Sequence, residues 1–252
     1  MPLVQDIAAA ALHPRVQALR LAALGQDDLI NLILQRSEVL FDVPQSGKII
    51  RAWNVGDTAP ILDQVDRLGL DVARRAAGVI LQEYLALQPL LLNLAPRRVA
   101  DIGCGYAFFD LFLLQDQPTT ALLIDIESNE RRHFGFAQEG AAYSSLAVAQ
   151  ALLADNDLAP ERVQAVNPKK NDPADAGTVD LALSFLSCGF HYPVETYMDY
   201  FARAVVPGGH LLLDLRETDA AAQLQRLSTL GTISDQPAPP KARRVLVQMG
   251  TT

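Results

Sequence analysis

Cysteine is scarce in this chain, whose 252 residues include only Cys104 and Cys188. Two cysteines cannot complete a zinc cluster, and they are too few to form the framework of a disulfide-rich secreted domain. No group of His, Asp and Glu residues has metal-ligand spacing, so no metal site is predicted. Residues 1–15 lack the basic region of a signal peptide, and their apolar run is too short to cross a bilayer. We therefore expect a cytoplasmic protein that does not contact a membrane.

Positive charge is also in deficit, because 21 Lys and Arg residues face 29 Asp and Glu residues and the net charge is −8. An acidic surface repels phosphate backbones, which argues against DNA or RNA as a partner. The basic residues form no long run, only pairs such as Arg97-Arg98, Lys169-Lys170 and Arg243-Arg244. A small molecule is therefore the expected ligand.

The pattern of apolar residues changes near residue 95. Residues 1–95 have the three- and four-residue spacing of helices, with Gly25 separating two of them and Asp27 or Asp28 available to cap the second. A further helix is predicted to end near Pro89. This N-terminal helical region carries no catalytic motif, and it could be a lid over a substrate site or the surface of a homodimer.

Residues 96–252 alternate between short apolar runs and helical segments. Continuously apolar strands separated by helices indicate a parallel sheet covered on both faces, which is the α/β class. The fifth strand is expected to follow a turn at Pro207-Gly208-Gly209, and a proline-rich loop precedes the last strand.

A glycine turn follows the first strand of this region, in the stretch VADIGCGYA. In a doubly wound sheet a ligand binds outside the carboxyl ends of the strands, and Gly103 and Gly105 let the backbone approach it closely. The third glycine of a dinucleotide fingerprint is missing, because Phe108 stands there, which argues against NAD or FAD. Asp101 before the turn suits a ligand with an ammonium group. Asp125, about 20 residues after the turn, is placed to bind ribose hydroxyls.

The chain here resembles the class I S-adenosylmethionine-dependent methyltransferases, in the segments VADIGCGYA, LLIDIE, VDLALSFLS and VVPGGHLLL. The resemblance covers the region 96–252 and implies a Rossmann-like seven-stranded sheet whose last strand is antiparallel. It implies S-adenosylmethionine as the cofactor. The expected cofactor-binding residues are Asp101, Gly103, Cys104, Gly105, Asp125, Ile126, Asn167 and Phe185.

Two positions depart from the family's pattern. Ala107 replaces a third glycine, which is a small change that the turn should tolerate. The acid that often follows the third strand and faces adenine is absent; Asn167 stands there and could accept a hydrogen bond through its carbonyl oxygen. Structural roles remain open for several of these residues: Asp101 as a helix cap, Asp125 as a turn acid with Glu127 in the ribose role, and Cys104 as a packing residue.

The segment after the fourth strand is expected to border the transferred methyl group, which makes Cys188, Gly189, His191 and Tyr192 candidates for contacting the acceptor. His191 is the first choice of general base because histidine titrates near neutral pH, and Tyr192 is the second catalytic candidate. Both could instead support the loop. The aromatic-Pro-Pro signature of amino-group methyltransferases is absent. The aromatic-rich stretch 131–146, with His133, Phe134 and Tyr143, either lines the site or packs on the sheet.

The sequence thus predicts methyl transfer to a small-molecule acceptor at oxygen or carbon, with residues 1–95 covering the acceptor. The alternative is a protein that keeps the fold and the cofactor but is a non-methylating enzyme or a binding subunit. A nucleotide-linked oxidoreductase is disfavoured by Phe108 and Asp101.

Overall fold

The computed structural model describes residues 6–127 and 144–251. Within these ranges the chain forms a seven-stranded sheet in the order β3-β2-β1-β4-β5-β7-β6. The strands are β1 (Arg98–Ile102), β2 (Thr120–Ile124), β3 (Val163–Val166), β4 (Val179–Ser184), β5 (Val205–Arg216), β6 (Gly231–Gln236) and β7 (Ala242–Met249). The first five are parallel, and β7 runs antiparallel between β5 and β6. The expected Rossmann-like sheet with an antiparallel last strand is confirmed.

Six helices precede β1 and four follow it in the described residues. They are α1 (Ile7–Ala11), α2 (Pro14–Gln17), α3 (Gln26–Gln35), α4 (Gly47–Asn54), α5 (Ala59–Leu68), α6 (Asp71–Leu94), α7 (Phe108–Asp116), α8 (Leu146–Asp155), α9 (Met198–Ala204) and α10 (Ala220–Leu227). One face of the sheet packs against a cluster that includes Leu32, Leu81, Leu111 and Leu123, and the other face against a cluster around Phe201. The N-terminal helices therefore share a hydrophobic core with the sheet.

The helix that was expected to end near Pro89 continues to Leu94. Proline removes one helical hydrogen bond, but Leu87 and Leu91 on either side of it are buried in the core. Their packing holds the helix together through the proline. The segment after α2 was expected to be helical and is not. Its Leu19, Leu21 and Leu24 are nevertheless buried in the core.

Asp28, one of the two residues predicted to cap the second helix, caps α3. Its carboxylate accepts a hydrogen bond from the Gly25 N–H at 2.8 Å. Its second oxygen accepts from the Tyr106 hydroxyl at 2.7 Å, which ties the start of α3 to the glycine turn after β1.

Helix α6 is long and apolar enough to cross a membrane by length and composition. In this fold it packs against α1, α3 and α7. Glu83 near its middle is 5% exposed and pairs with Arg36, just beyond the end of α3. The helix is thus accounted for as a core element of the fold.

Two parts of the sheet differ from the expectation. The Pro207-Gly208-Gly209 segment lies inside β5, where the pairing with β4 shifts register, and does not precede the strand as a separate turn. Strand β6 was not recognised because its sequence, GTISDQ, contains residues that are depleted in strands, and it lies at the exposed edge of the sheet.

Candidate active site

The carboxyl ends of β1, β2 and β4 open into one cavity of about 1100 Å³. Its wall contains most of the residues that the sequence predicted for the site: Asp101, Gly103, Cys104, Gly105, Asp125, Ile126, Phe185, His191 and Tyr192. Parallel strands place their carboxyl ends at one edge of the sheet, so segments distant in sequence meet there.

The glycine turn after β1 depends on left-handed backbone at two positions. Gly103 has φ 78° and Gly105 has φ 58°. The Gly103 N–H donates to the Ile124 carbonyl at 2.7 Å, which joins the turn to the end of β2. A Cβ atom at Gly103 would overlap the Ser187 side chain in the loop after β4. Gly103 is thus required both for its conformation and for the close approach of two strand ends.

Ala107 begins α7 with φ 56°, the left-handed conformation that glycine adopts most readily. An alanine pays about 1 kcal/mol for this conformation, and the turn nevertheless forms. The turn has accommodated the change, as the sequence predicted.

Asp101 lies near the end of β1 and is 4% exposed at the floor of the cavity. Burial is the main cause that raises its pKa well above the usual range, and the nearby carboxyls of Asp110 and Asp125 raise the pKa further. Asp101 precedes the turn inside a strand, so it is not a helix cap. A buried carboxyl of this kind favours a cationic ligand.

Asp110 in the first turn of α7 is a site residue that sequence reasoning missed. It is fully buried, and its carboxyl lies within hydrogen-bonding reach of Asp101. Burial raises the pKa of Asp110 to about 7. The signal was present in the sequence as a single acid in the apolar stretch FFDLFLL, a position at which a charge is costly unless it has a partner.

Asp125 is 9% exposed and therefore is not a surface turn acid. One carboxylate oxygen accepts from the Gly105 N–H at 2.9 Å, and the other accepts from the Glu127 N–H at 3.2 Å. Burial raises its pKa, and the Gly105 N–H opposes that rise. Each oxygen keeps a further lone pair, so the carboxylate can brace the turn and also accept from a ligand.

Asn167 does not reach the cavity wall, in contrast to the expectation. Its amide donates to the Ile126 carbonyl at 3.2 Å and to the Glu127 carboxylate at 2.8 Å, and its oxygen accepts from the Lys169 N–H. The Asn167 bond and the nearby Lys170 lower the pKa of Glu127. Asn167 thus holds the loop after β2, and the following residues, Pro168 to Lys170, line the cavity in its place.

The loop after β4 is fixed by a buried hydroxyl. Ser184 Oγ donates to the Ile102 carbonyl at 2.6 Å and accepts from the Cys188 N–H at 2.8 Å. Leu186 takes φ 52°, which is unusual for a branched residue and turns the loop towards the cavity. Cys188 is fully buried in the core on the other face of the sheet and does not line the cavity.

His191 and Tyr192 both line the cavity. The His191 ring packs edge-on against Phe190 with ring centroids 5.3 Å apart, and its backbone N–H donates to the Ser187 carbonyl. The Tyr192 hydroxyl lies 3.2 Å from Ser187 Oγ. Burial raises the pKa of Tyr192 well above the usual value, so at neutral pH the phenol is a hydrogen-bond donor and cannot serve as a base.

Solved structures that are similar to this chain carry methyltransferase names. The methyltransferase domain of a bacterial protein, CtHen1, has a TM-score of 0.50 at 12% identity, over 67% of this chain and 97% of that domain. The chain has the class I methyltransferase fold. An O-methyltransferase family protein from Burkholderia thailandensis gives a TM-score of 0.48 at 15% identity, over 88% of this chain and 72% of its own. The O-methyltransferase TomG from Streptomyces achromogenes, solved with S-adenosylmethionine, gives 0.45 at 14% identity, over 68% and 80%. No protein-family model and no curated protein sequence matches the chain.

The N-terminal helical region forms one wall of this cavity. The sequence could not specify which of its residues line that wall. Leu34 to Glu38, together with Ile80 and Glu83 of α6, line it. Arg36 pairs with Glu83 at 2.8 Å; burial opposes the charge on the guanidinium, but Glu83 and Glu38 keep the pKa of Arg36 above its usual value. Phe109 of α7 packs against Phe185 with centroids 4.7 Å apart. The predicted stretch with His133, Phe134 and Tyr143 lies outside the described residues.

Proposed function

We propose that this protein transfers a methyl group from S-adenosylmethionine to a small-molecule acceptor, at oxygen or at carbon. The observation that carries the proposal is the pair of buried carboxyls, Asp101 and Asp125, on the two sides of a glycine turn at the open end of a methyltransferase-fold sheet.

The chemistry of the cavity suits this cofactor. S-adenosylmethionine carries an ammonium group and a sulfonium, and a cation compensates the buried carboxyl of Asp101. Asp125 retains acceptor capacity for the two ribose hydroxyls. A pyrophosphate would face two carboxyls instead of an unobstructed helix N-terminus, and Phe108 is buried where a dinucleotide site has glycine.

The acceptor is expected to bind against the wall formed by α3, α6 and the loop after β4. Phe109, Phe185 and Phe190 give this part of the cavity apolar and aromatic surfaces, and the Arg36–Glu83 pair gives it one polar region. Bound S-adenosylmethionine supplies an electrophilic methyl group. The protein must align the acceptor in line with it and, for a hydroxyl, remove a proton, which we assign to His191. The homodimer through the N-terminal helices and the cytoplasmic location stay predictions.

Replacement of Asp125 by alanine tests the cofactor part of the proposal. Calorimetric titration of the wild type with S-adenosylmethionine, S-adenosylhomocysteine and NAD is expected to show binding of the first two only. Asp125→Ala is expected to weaken that binding by about 1–3 kcal/mol, because the hydrogen bonds to the ribose are lost. Asp235→Ala, on the exposed strand β6, is the control. Binding of NAD alone overturns the proposal, and an unchanged affinity assigns the ribose to Glu127.

Replacement of His191 by alanine tests the catalytic part. Methylated products formed from a panel of hydroxylated and phenolic acceptors are measured by mass spectrometry. Loss of the base is expected to lower turnover about 10²–10⁴-fold without changing cofactor affinity. The control is His210→Ala, since His210 lies within β5 and does not line the cavity. Tight cofactor binding with no product from any acceptor would favour a binding subunit or a non-methylating enzyme.

A further inference from the structure

The carboxyl of Asp101 lies at the floor of the cavity, and a second buried carboxyl, that of Asp110, lies within its hydrogen-bonding reach. Asp101 reaches the cavity from β1, and Asp110 lies behind it in the first turn of α7. Asp110 has no exposed surface, and no N–H or O–H group of the described residues donates to either of its oxygens in good geometry. Among the described residues, the side chain within hydrogen-bonding reach of the Asp110 carboxyl is that of Asp101, and the Asp110 backbone N–H also lies near it.

Among the described residues, the charged and titratable neighbours of this pair include no cation that pairs with it. Asp125 approaches from the end of β2, and the thiol of Cys104 in the turn is itself held protonated, since burial and the three acids raise its pKa. In the part of the chain that the structure describes, no Lys, Arg or His forms an ion pair with Asp101 or Asp110. Two largely buried carboxyls within hydrogen-bonding reach of each other, with no cation beside them, repel each other when both are ionised; a shared proton is the stable arrangement.

We propose that Asp101 and Asp110 hold one proton between them in the ligand-free protein and release it when a ligand with an ammonium group binds at Asp101. The ligand in question is the cofactor of the proposed function, on which this second half rests. Asp110 is then a positioning residue. While the cavity lacks a cation, the shared proton forms a hydrogen bond between the carboxyls of Asp110 and Asp101. The ammonium group replaces that proton as the partner of Asp101, and the proton goes to solvent.

Burial raises the pKa of both carboxyls, that of Asp110 to about 7 and that of Asp101 well above its usual value. Because binding releases one proton, the affinity for the cofactor falls by up to tenfold for each unit by which the pH drops below the pKa of the pair. A ligand that lacks the ammonium group, such as adenosine, leaves the shared proton in place, and its affinity is expected not to change in this way.

Calorimetry in two buffers of different ionisation enthalpy counts the protons released. At about pH 6, where both the pair and the ligand's amino group are protonated, S-adenosylmethionine is expected to release close to one proton from the wild type, and adenosine none. In Asp110→Asn the amide donates to an ionised Asp101, so the release is expected to disappear. The exposed Asp155→Asn is the control. Equal release from the wild type and from Asp110→Asn overturns the proposal.

A measurement without any ligand separates this proposal from the proposed function. In infrared difference spectra recorded across a pH titration, the carbonyl band of a protonated carboxyl is expected to persist to near neutral pH in the wild type. It should vanish in Asp110→Asn, where the amide donates to an ionised Asp101. Because the folded pair holds its proton more tightly than the unfolded chain, its stabilisation is full below about pH 4 and is lost as pH rises through about 7. Absence of the band in the wild type refutes the shared proton even if the cofactor binds.

Discussion

Replacing Arg244 with methionine is expected to lower the free energy of unfolding by about 3–5 kcal/mol. Arg244 on β7 and Asp214 on β5 are direct cross-strand neighbours, and both are buried, at 1% and 0% exposure. The guanidinium holds the carboxylate through two bonds of 2.6 and 2.8 Å. Burial already raises the pKa of Asp214, and Arg244 opposes that rise. Methionine preserves volume but leaves a carboxyl buried without its partner.

Urea unfolding followed by circular dichroism measures this loss, and two controls define its origin. Arg243→Met removes the exposed pair between Arg243, the neighbour of Arg244 on β7, and Asp235 on β6, and is expected to cost less than about 1 kcal/mol. The double variant Asp214→Leu/Arg244→Met removes both charges and is expected to recover most of the stability. If Arg244→Met and Arg243→Met lower the free energy of unfolding equally, the buried pair stabilises the fold no more than the exposed pair does.

Arg244→Met also removes a contact with a residue of the cavity wall. The Arg244 guanidinium lies over the Phe185 ring, 4.6 Å from its centroid, and Phe185 lines the cavity beside Phe109. A buried pair in the sheet thus supports the surface on which the acceptor is proposed to bind.

Replacing Gly103 with alanine is expected to have the largest effect on the site itself. Alanine at this position must keep the left-handed backbone, which costs about 1–2 kcal/mol. Its methyl group overlaps Ser187, which adds about 1–3 kcal/mol as the loop after β4 moves away. Cofactor affinity is expected to fall at least as much as in Asp125→Ala, because the turn and this loop both line the cavity. Thermal unfolding and calorimetric titration measure the two effects.

Gly56→Ala is a matched control for this substitution. Gly56 has φ 86°, close to that of Gly103, but a Cβ atom there would meet nothing within 4 Å. The control variant therefore reports the backbone strain alone and is expected to leave cofactor affinity unchanged. A Gly103→Ala variant no less stable than Gly56→Ala would show that the loop after β4 yields without cost.

The sheet could be predicted because its central strands are short, continuously apolar runs, and the helices between them have a different period. The glycine turn and the acids at residues 101 and 125 were recognisable for the same reason, since they stand at the ends of such runs. Strand β6 escaped detection because an exposed edge strand needs little apolar sequence. The end of α6 was misjudged because Pro89 breaks a helix locally, whereas the core contacts of Leu87 and Leu91 keep it intact.

The sequence by itself determined the class of the fold, the order of its strands apart from β6 with the helices between them, and the turn at which a ligand is proposed to bind. Helices α4 and α5 were not predicted. Only the tertiary structure decided which side chains meet there. It brought Asp110 against Asp101, turned Asn167 away into the loop after β2, and placed Arg36 and Glu83 at the cavity wall. Periodicity and turn residues act over a few neighbouring positions, so they are legible in the chain. Contacts between separate elements depend on how those elements pack, and no local pattern records them.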